Sequence, residues 1–355
     1  MAQAPALRVI AGPRARAHIE KEGLRPQDIQ VMVGASGGPK WLSMARLDEY
    51  LFGDFFAGER DTPLHLIGSS AGAWRFACFA QSEPAKASRR FAEAYQHICY
   101  APGMNFTDIT RHTHTLLDVV LPDDAAQQQV LANRNIKLNL IAARARGINA
   151  ARHRAFQAAG LGLTALANAV HRRALGGFFE RILFHAADHQ PPFFQLNDLP
   201  TRQVALAENN LRPAILASGA IPLVLSGIPD IPGAGPGIYY DGGITDYHFD
   251  IPFSPDGLVL YPHFYPTITP GWFDKALKWR RANPRHYDNV VMLCPSEDWV
   301  AALPQGRIPD RRDFNRLSDE QRIRDWGEAM KRSERLVEDM QRLAQGDLSA
   351  LEPVA

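Results

Sequence analysis

The chain has 355 residues, 46% of them hydrophobic and 22% charged, with a formal net charge of +1. That length fits one large α/β domain with an insertion, and the composition supplies an ordinary soluble core. A net charge near zero excludes a global pull toward nucleic acid, and Cys78, Cys99 and Cys294 are too few and too scattered for a disulfide framework or a zinc ribbon.

Met1 to Ile10 has no charged region followed by a long apolar one. The expectation is therefore no signal peptide and a cytoplasmic protein, peripheral at most on the inner membrane face. Strand-like runs occur at residues 7–10, 30–33, 64–67, 136–142, 203–206, 257–261 and 289–293, with helical stretches between many of them. This alternation predicts an α/β fold with a mainly parallel central sheet and helices on both faces. Ligands in such folds sit beyond the carboxyl ends of the strands.

The run at 30–33 enters Gly34-Ala35-Ser36-Gly37-Gly38-Pro39-Lys40-Trp41. Pro39 suits a first helical position, and the amides of a glycine-rich loop ahead of a helix converge on an anion. An oxyanion hole is one use; an ordinary strand–loop–helix turn is the other. It is not a Walker-type phosphate loop, because Pro39 separates Gly38 from Lys40 and Trp41 follows. The run at 64–67 enters Gly68-Ser69-Ser70-Ala71-Gly72 and then a helix-forming stretch, the setting of a nucleophile elbow.

Residues 125–179 contain no acid but carry Arg134, Lys137, Arg144, Arg146, Arg152, Arg154, Arg172 and Arg173. Apolar, glycine-interrupted helices with basic flanks suit a lid, a fixed helical cover or an element resting on anionic lipid, with 134–184 as the contacting region. A Pro/Gly-rich loop at 227–237 leads into Ile238-Tyr239-Tyr240-Asp241-Gly242-Gly243-Ile244, an apolar run ending in an acid and two glycines. From Leu317 the pattern predicts one closing amphipathic helix, with Ser318 and Gln321 as a capping box and Ile323, Trp326, Met330, Val337, Met340 and Ala344 on its apolar face. It either docks on the core or joins two copies of the chain.

Taken together, the glycine-rich loop, the G-x-S-x-G pentapeptide, Asp241-Gly242-Gly243 and the stretch Ala217-Ser218-Gly219-Ala220-Ile221-Pro222 resemble the patatin-like phospholipase family, in its order and spacing, across roughly residues 30–255. The resemblance implies a three-layer α/β hydrolase domain at 1–310, with a helical insertion about 125–190 and a C-terminal helix at 311–355 packed on the same domain. It implies a Ser70–Asp241 dyad, oxyanion donors at Ser36, Gly37 and Gly38, and Lys40 as the family's basic residue, with Gly68, Gly72, Gly242 and Gly243 shaping the motifs. It further implies a lipid ester substrate, of phospholipase A or lysophospholipase type. Two departures mark a divergent member. Ser36 stands where the family has an oxyanion glycine, and Asp246-Tyr247-His248-Phe249-Asp250-Ile251-Pro252 replaces the usual Asn-x-Pro.

Ordinary aspartate titrates near ~3.9, so a dyad base needs burial to become more basic. His248 and His263 follow Ser70 and Asp241 in the chain order of an α/β-hydrolase triad, which is the alternative enzyme reading. A catalytically decayed lipid-binding scaffold is the non-enzymatic one. His112 with His114, and His185 with His189, have metal-like spacing but no accompanying acids or cysteines. No metal, cofactor or nucleic-acid partner is expected.

Overall fold

A computed structural model describes residues 4–100, 106–151, 153–253 and 256–353. Its strands are β1 Leu7–Ala11, β2 Ile29–Gly34, β3 Leu64–Ser69, β4 Ile136–Ala145, β5 Phe179–His185, β6 Thr201–Ala205, β7 Ile228–Pro229, β8 Ile238–Asp241, β9 Leu258–Pro262, β10 Val290–Pro295 and β11 Leu351–Pro353. They form one sheet in the order β11-β1-β10-β9-β2-β3-β4-β5-β6, with β8 paired to β4 and β7 to β8. From β10 through β4 all neighbours are parallel. Antiparallel pairs occur at β1–β10, β4–β5, β4–β8 and β7–β8. Every residue of β3, β9 and β10 is buried, so both faces of the central sheet are covered. This is the mostly parallel α/β sheet that the alternation of elements predicts.

Two elements differ from expectation. Region 125–190 is not a helical insertion throughout: besides β4, which covers the strand expected at 136–142, it holds β5, and both belong to the central sheet. β5 is a seven-residue aromatic and branched run following Gly176-Gly177. It is too short to favour a helix, and its backbone is satisfied by β4 on one edge and β6 on the other. What stands off the sheet is the Asp124–Ala132 helix at the start of the region and the Arg154–Val170 helix with a short 3-10 segment on each side, Gly147–Ala150 and Arg172–Gly177.

The closing segment is two helices, Asp319–Arg332 and Glu334–Ala344. Ser333 separates them; its hydroxyl donates to Met330 O at 2.6 Å and accepts Arg46 N at 3.1 Å. Ser318 caps the first helix by accepting Gln321 N at 3.2 Å. Trp326, Met330, Leu336, Met340 and Leu343 are buried in the core. After them β11 pairs with β1, tying the end of the chain into the sheet.

Candidate active site

β3 and β8 meet end to end along one edge of β4. Ser69 pairs opposite Ile141 and Asp241 opposite Ala142, on successive residues of β4. β3 runs parallel to β4 and β8 antiparallel, so their carboxyl ends face each other and deliver Ser70 and Asp241 to one point.

Ser70 leaves β3 at φ 51°, ψ −126°, a conformation that costs a side-chain-bearing residue free energy unless its surroundings hold it. Here they do. Ser70 N donates to Ser218 Oγ at 3.0 Å, and Ser218 Oγ donates to Ile141 O at 2.6 Å. The Ala71–Phe79 helix then crosses directly over the end of β2: a Cβ on Gly72 would stand 1.9 Å from the Gly34 carbonyl oxygen. Gly68 is similarly closed in, since its Cβ would meet Ala73 N at 2.6 Å.

Ser70 Oγ donates to Asp241 Oδ2 at 2.7 Å, and Gly243 N donates to Asp241 Oδ1 at 2.7 Å. Gly242 lies flat on the Ile141 carbonyl, which a Cβ would approach to 2.1 Å. Burial pushes the Asp241 carboxyl up to about 6. The two hydrogen bonds and the charges of Lys275 and Arg311 act in the opposite direction. A carboxylate at that value is ionised at neutral pH and is a better base than a solvated one.

Gly37 is extended, at φ 175°, and Gly38 is left-handed, at φ 57°. Among the described residues neither amide donates a hydrogen bond, and both glycines line the same cavity as Ser70. Ser36 differs from them. Its amide is taken by Tyr247 O at 2.9 Å. Its hydroxyl lies 2.7 Å from Ser69 Oγ, which itself donates to Asp246 O at 2.6 Å. Through Ser69, the Ser36 hydroxyl ties the loop to the Asp246 backbone, and of the three expected donors only the Gly37 and Gly38 amides remain unengaged among the described residues. The Asp246 carboxylate is held in turn by buried Arg181, with Nε–Oδ2 at 2.6 Å and Nη2–Oδ1 at 2.7 Å.

Lys40 Nζ pairs with Asp310 Oδ2 at 2.8 Å. Despite partial burial, the Asp310 carboxyl is held well below the usual range by its bonds to Lys40 and Arg312. The cavity above the dyad measures about 460 Å³, and Tyr247, Trp272, Lys275 and Arg311 contribute to its wall. Lys275 Nζ stands 3.8 Å from the centre of the Tyr247 ring. Among the described residues no carboxylate lies within ion-pair distance of Lys275 or Arg311. The sequence carried no local sign of these two cations, which come from a short 3-10 helix at Trp272–Ala276 and a turn at Arg311, far from the motifs. Ser218 sits in the Ala217–Pro222 stretch noted above, but its bond to Ser70 is tertiary.

The histidine triad is not formed. His248 Nδ1 accepts Thr269 N at 3.0 Å and His263 Nδ1 accepts Tyr265 N at 3.0 Å. Burial pushes His248 well below its ordinary value and His263 down to about 4. Neither ring bonds to Ser70 or Asp241, which bond to each other directly. Among the described residues no group of three or more His, Cys, Asp or Glu is placed to hold a metal ion.

Neither a family model nor a curated protein sequence matches this chain. Among solved structures it is similar to VipD from Legionella pneumophila, at 12% identity and a TM-score of 0.39, over 99% of this chain and 75% of that one.

Proposed function

We propose that this protein is a serine acyl-ester hydrolase of lipids, of phospholipase A or lysophospholipase type, working through an acyl-enzyme on Ser70. The observation that carries the reading is the 2.7 Å bond from a strained Ser70 to a buried Asp241 whose basicity is raised. In the first half-reaction Ser70 Oγ attacks the ester carbonyl and its proton passes to Asp241 Oδ2. The carbonyl oxygen, now negative, is stabilised by the Gly37 and Gly38 amides, each such donor contributing about 3–4 kcal/mol. Collapse expels the alcohol or lysolipid, which takes the proton back from Asp241. A water molecule then attacks the acyl-enzyme as Asp241 takes its proton; collapse breaks the bond to Ser70 Oγ, which recovers that proton from Asp241, and frees the acid. Lys275 and Arg311 in the cavity wall suit a substrate that carries an anion, such as a phosphodiester, near the scissile ester.

A fluorophosphonate probe tests the chemistry. The expected result is a single covalent adduct on Ser70, lost in Ser70→Ala, together with hydrolysis of at least one of three substrates: a phospholipid, a neutral glyceride or a short soluble ester. An unlabelled Ser70 in folded protein, with no ester hydrolysed, would point to a lipid-binding scaffold instead.

A further inference from the structure

The Arg154–Val170 helix is amphipathic the wrong way round for a surface helix. It buries Gln157, Gly160, Leu161, Thr164 and Asn168. Three of those five are polar, and each is hydrogen-bonded inward. Gln157 Nε2 donates to Tyr240 Oη at 2.6 Å, Asn149 Nδ2 donates to Thr164 Oγ1 at 2.9 Å, and Asn168 Nδ2 donates to Asp274 Oδ1 at 2.7 Å. The outer face carries Phe156, Leu163, Leu166 and Val170, which are 60%, 51%, 69% and 87% exposed. Spacings of seven, three and four residues place them on one stripe. An ordinary surface helix turns such a stripe to the core; a contiguous exposed one marks a contact surface.

The neighbouring segment extends the patch. Arg280 Nη2 bonds Asn168 O at 2.5 Å, fixing that segment to the end of the helix. The adjacent Trp279 is 69% exposed. Around it Arg173, Lys278 and Arg281 are exposed cations, and the helix itself holds no acid. The same segment supplies Trp272 and Lys275 to the cavity wall, and Gln157 reaches Tyr240, the residue before Asp241. The helix that carries the stripe therefore packs beside the candidate active site, with the stripe on its outer face.

From this arrangement we infer that the outer face of the helix, with Trp279, is the surface by which the protein seats on an anionic lipid bilayer. An apolar stripe with an aromatic residue and a basic rim is complementary to headgroups below and acyl chains beyond. Among the described residues no helix is long and apolar enough to cross a membrane, so the stripe lies in the interface plane. Pairing of two copies through this face would set their cationic rims against each other. The cations that serve are not those of the whole acid-free stretch. Arg144 and Arg146 pair with Glu180, Lys137 with Asp188 and Arg172 with Asp274. Arg154 bonds Leu223 O, and Arg152 lies outside the described residues.

This inference deepens the proposed function by naming where the lipid arrives, and rests on that reading only for its catalytic consequence. The experiment uses full-length Ser70→Ala protein, so that no lipid is consumed, in flotation with vesicles of phosphatidylcholine alone or mixed with phosphatidylserine. The parent should bind the mixed vesicles preferentially and lose affinity as salt rises. Leu163→Gln/Leu166→Gln should weaken that binding about tenfold or more. Arg173→Gln/Lys278→Gln/Arg281→Gln should abolish the preference for the anionic mixture. In the Ser70 background both sets should hydrolyse a short soluble ester like wild type, if the hydrolase reading holds. Unchanged flotation of the leucine variant, or equal binding of the parent to both vesicles, would overturn the inference. A fall in solution mass on the leucine substitutions would also do so, by assigning the face to a second copy.

Discussion

The amide of Ser70 and the hydroxyl of Ser218 share a 3.0 Å bond, and that bond ties the strained residue to the carbonyl of Ile141 in β4. Ser218 touches neither the substrate cavity nor Asp241, so it acts by positioning. Ser218→Ala leaves the buried Ser70 N–H without its acceptor, a cost of about 1–3 kcal/mol. The expected outcome is a kcat lowered roughly 10- to 100-fold with KM nearly unchanged. Steady-state kinetics on a soluble ester, beside a denaturant titration, checks both effects; a raised KM at constant kcat would show that Ser218 shapes substrate binding instead.

The dyad predicts which side chains are dispensable. Ser70→Ala and Asp241→Asn should each abolish ester hydrolysis while leaving a folded protein. His248→Ala and His263→Ala, measured per folded molecule, should keep most of it. A histidine variant as inactive as Ser70→Ala would restore an imidazole to the reaction.

Asp241 also sets a pH dependence with a definite sign. Hydrolysis needs the ionised carboxylate, so kcat/KM should rise with pH around an apparent pKa of about 6. The Lys275 charge lowers the pKa of Asp241, so Lys275→Met should move that limb upward. Stability moves the other way. The folded state holds this proton more tightly than the unfolded chain does, because 6 lies above 3.8. The group's contribution is therefore complete below about pH 4 and lost as pH rises through about 6. Relative to Asp241→Asn, the wild type should lose about 2–3 kcal/mol of stability across that window. Parallel denaturation curves at pH 4 and pH 7 measure the difference; a constant gap between the two proteins would deny the buried ionisation.

Arg181 is fully buried between Asp246 and Asp198, with Nη1–Asp198 Oδ1 at 2.6 Å. Removing the cation alone leaves carboxylates uncompensated, a loss of about 3–5 kcal/mol. Arg181→Met should therefore unfold at markedly lower denaturant, and Arg181→Met/Asp246→Asn should recover part of the loss. A double variant no more stable than the single one would mean that the Asp246 charge carries little of the cost.

Much of the site was readable because its grammar is local. Gly68, Ser70 and Gly72 announce a strand–turn–helix elbow, and Asp241-Gly242-Gly243 a strand end with a backbone donor two residues on. What was unreadable depends on distant partners. The Ser36 amide looks available in the sequence and is lost only because the carbonyl of Tyr247 reaches it. Lys275 and Arg311 join the cavity through a single 3-10 turn and a loop whose course no periodicity encodes. β5 reads as a continuation of the apolar helix before it, since only pairing with β4 and β6 distinguishes a short aromatic run as a strand. The break at Ser333 is likewise invisible, because the apolar spacing runs on through it.

The head-on meeting of β3 and β8 also has a consequence for how the protein is made. Ser70 and Asp241 are 171 residues apart, and the strand that brings them together lies between them in the chain. On the ribosome the serine emerges on the order of ten seconds or more before its aspartate. Throughout that interval the nascent polypeptide has an elbow without a base. A truncated translation product or a proteolytic fragment ending before residue 241 lacks the proposed base and should be inert toward esters. On the proposed reading, a cell making this protein exposes its own membranes only to finished molecules.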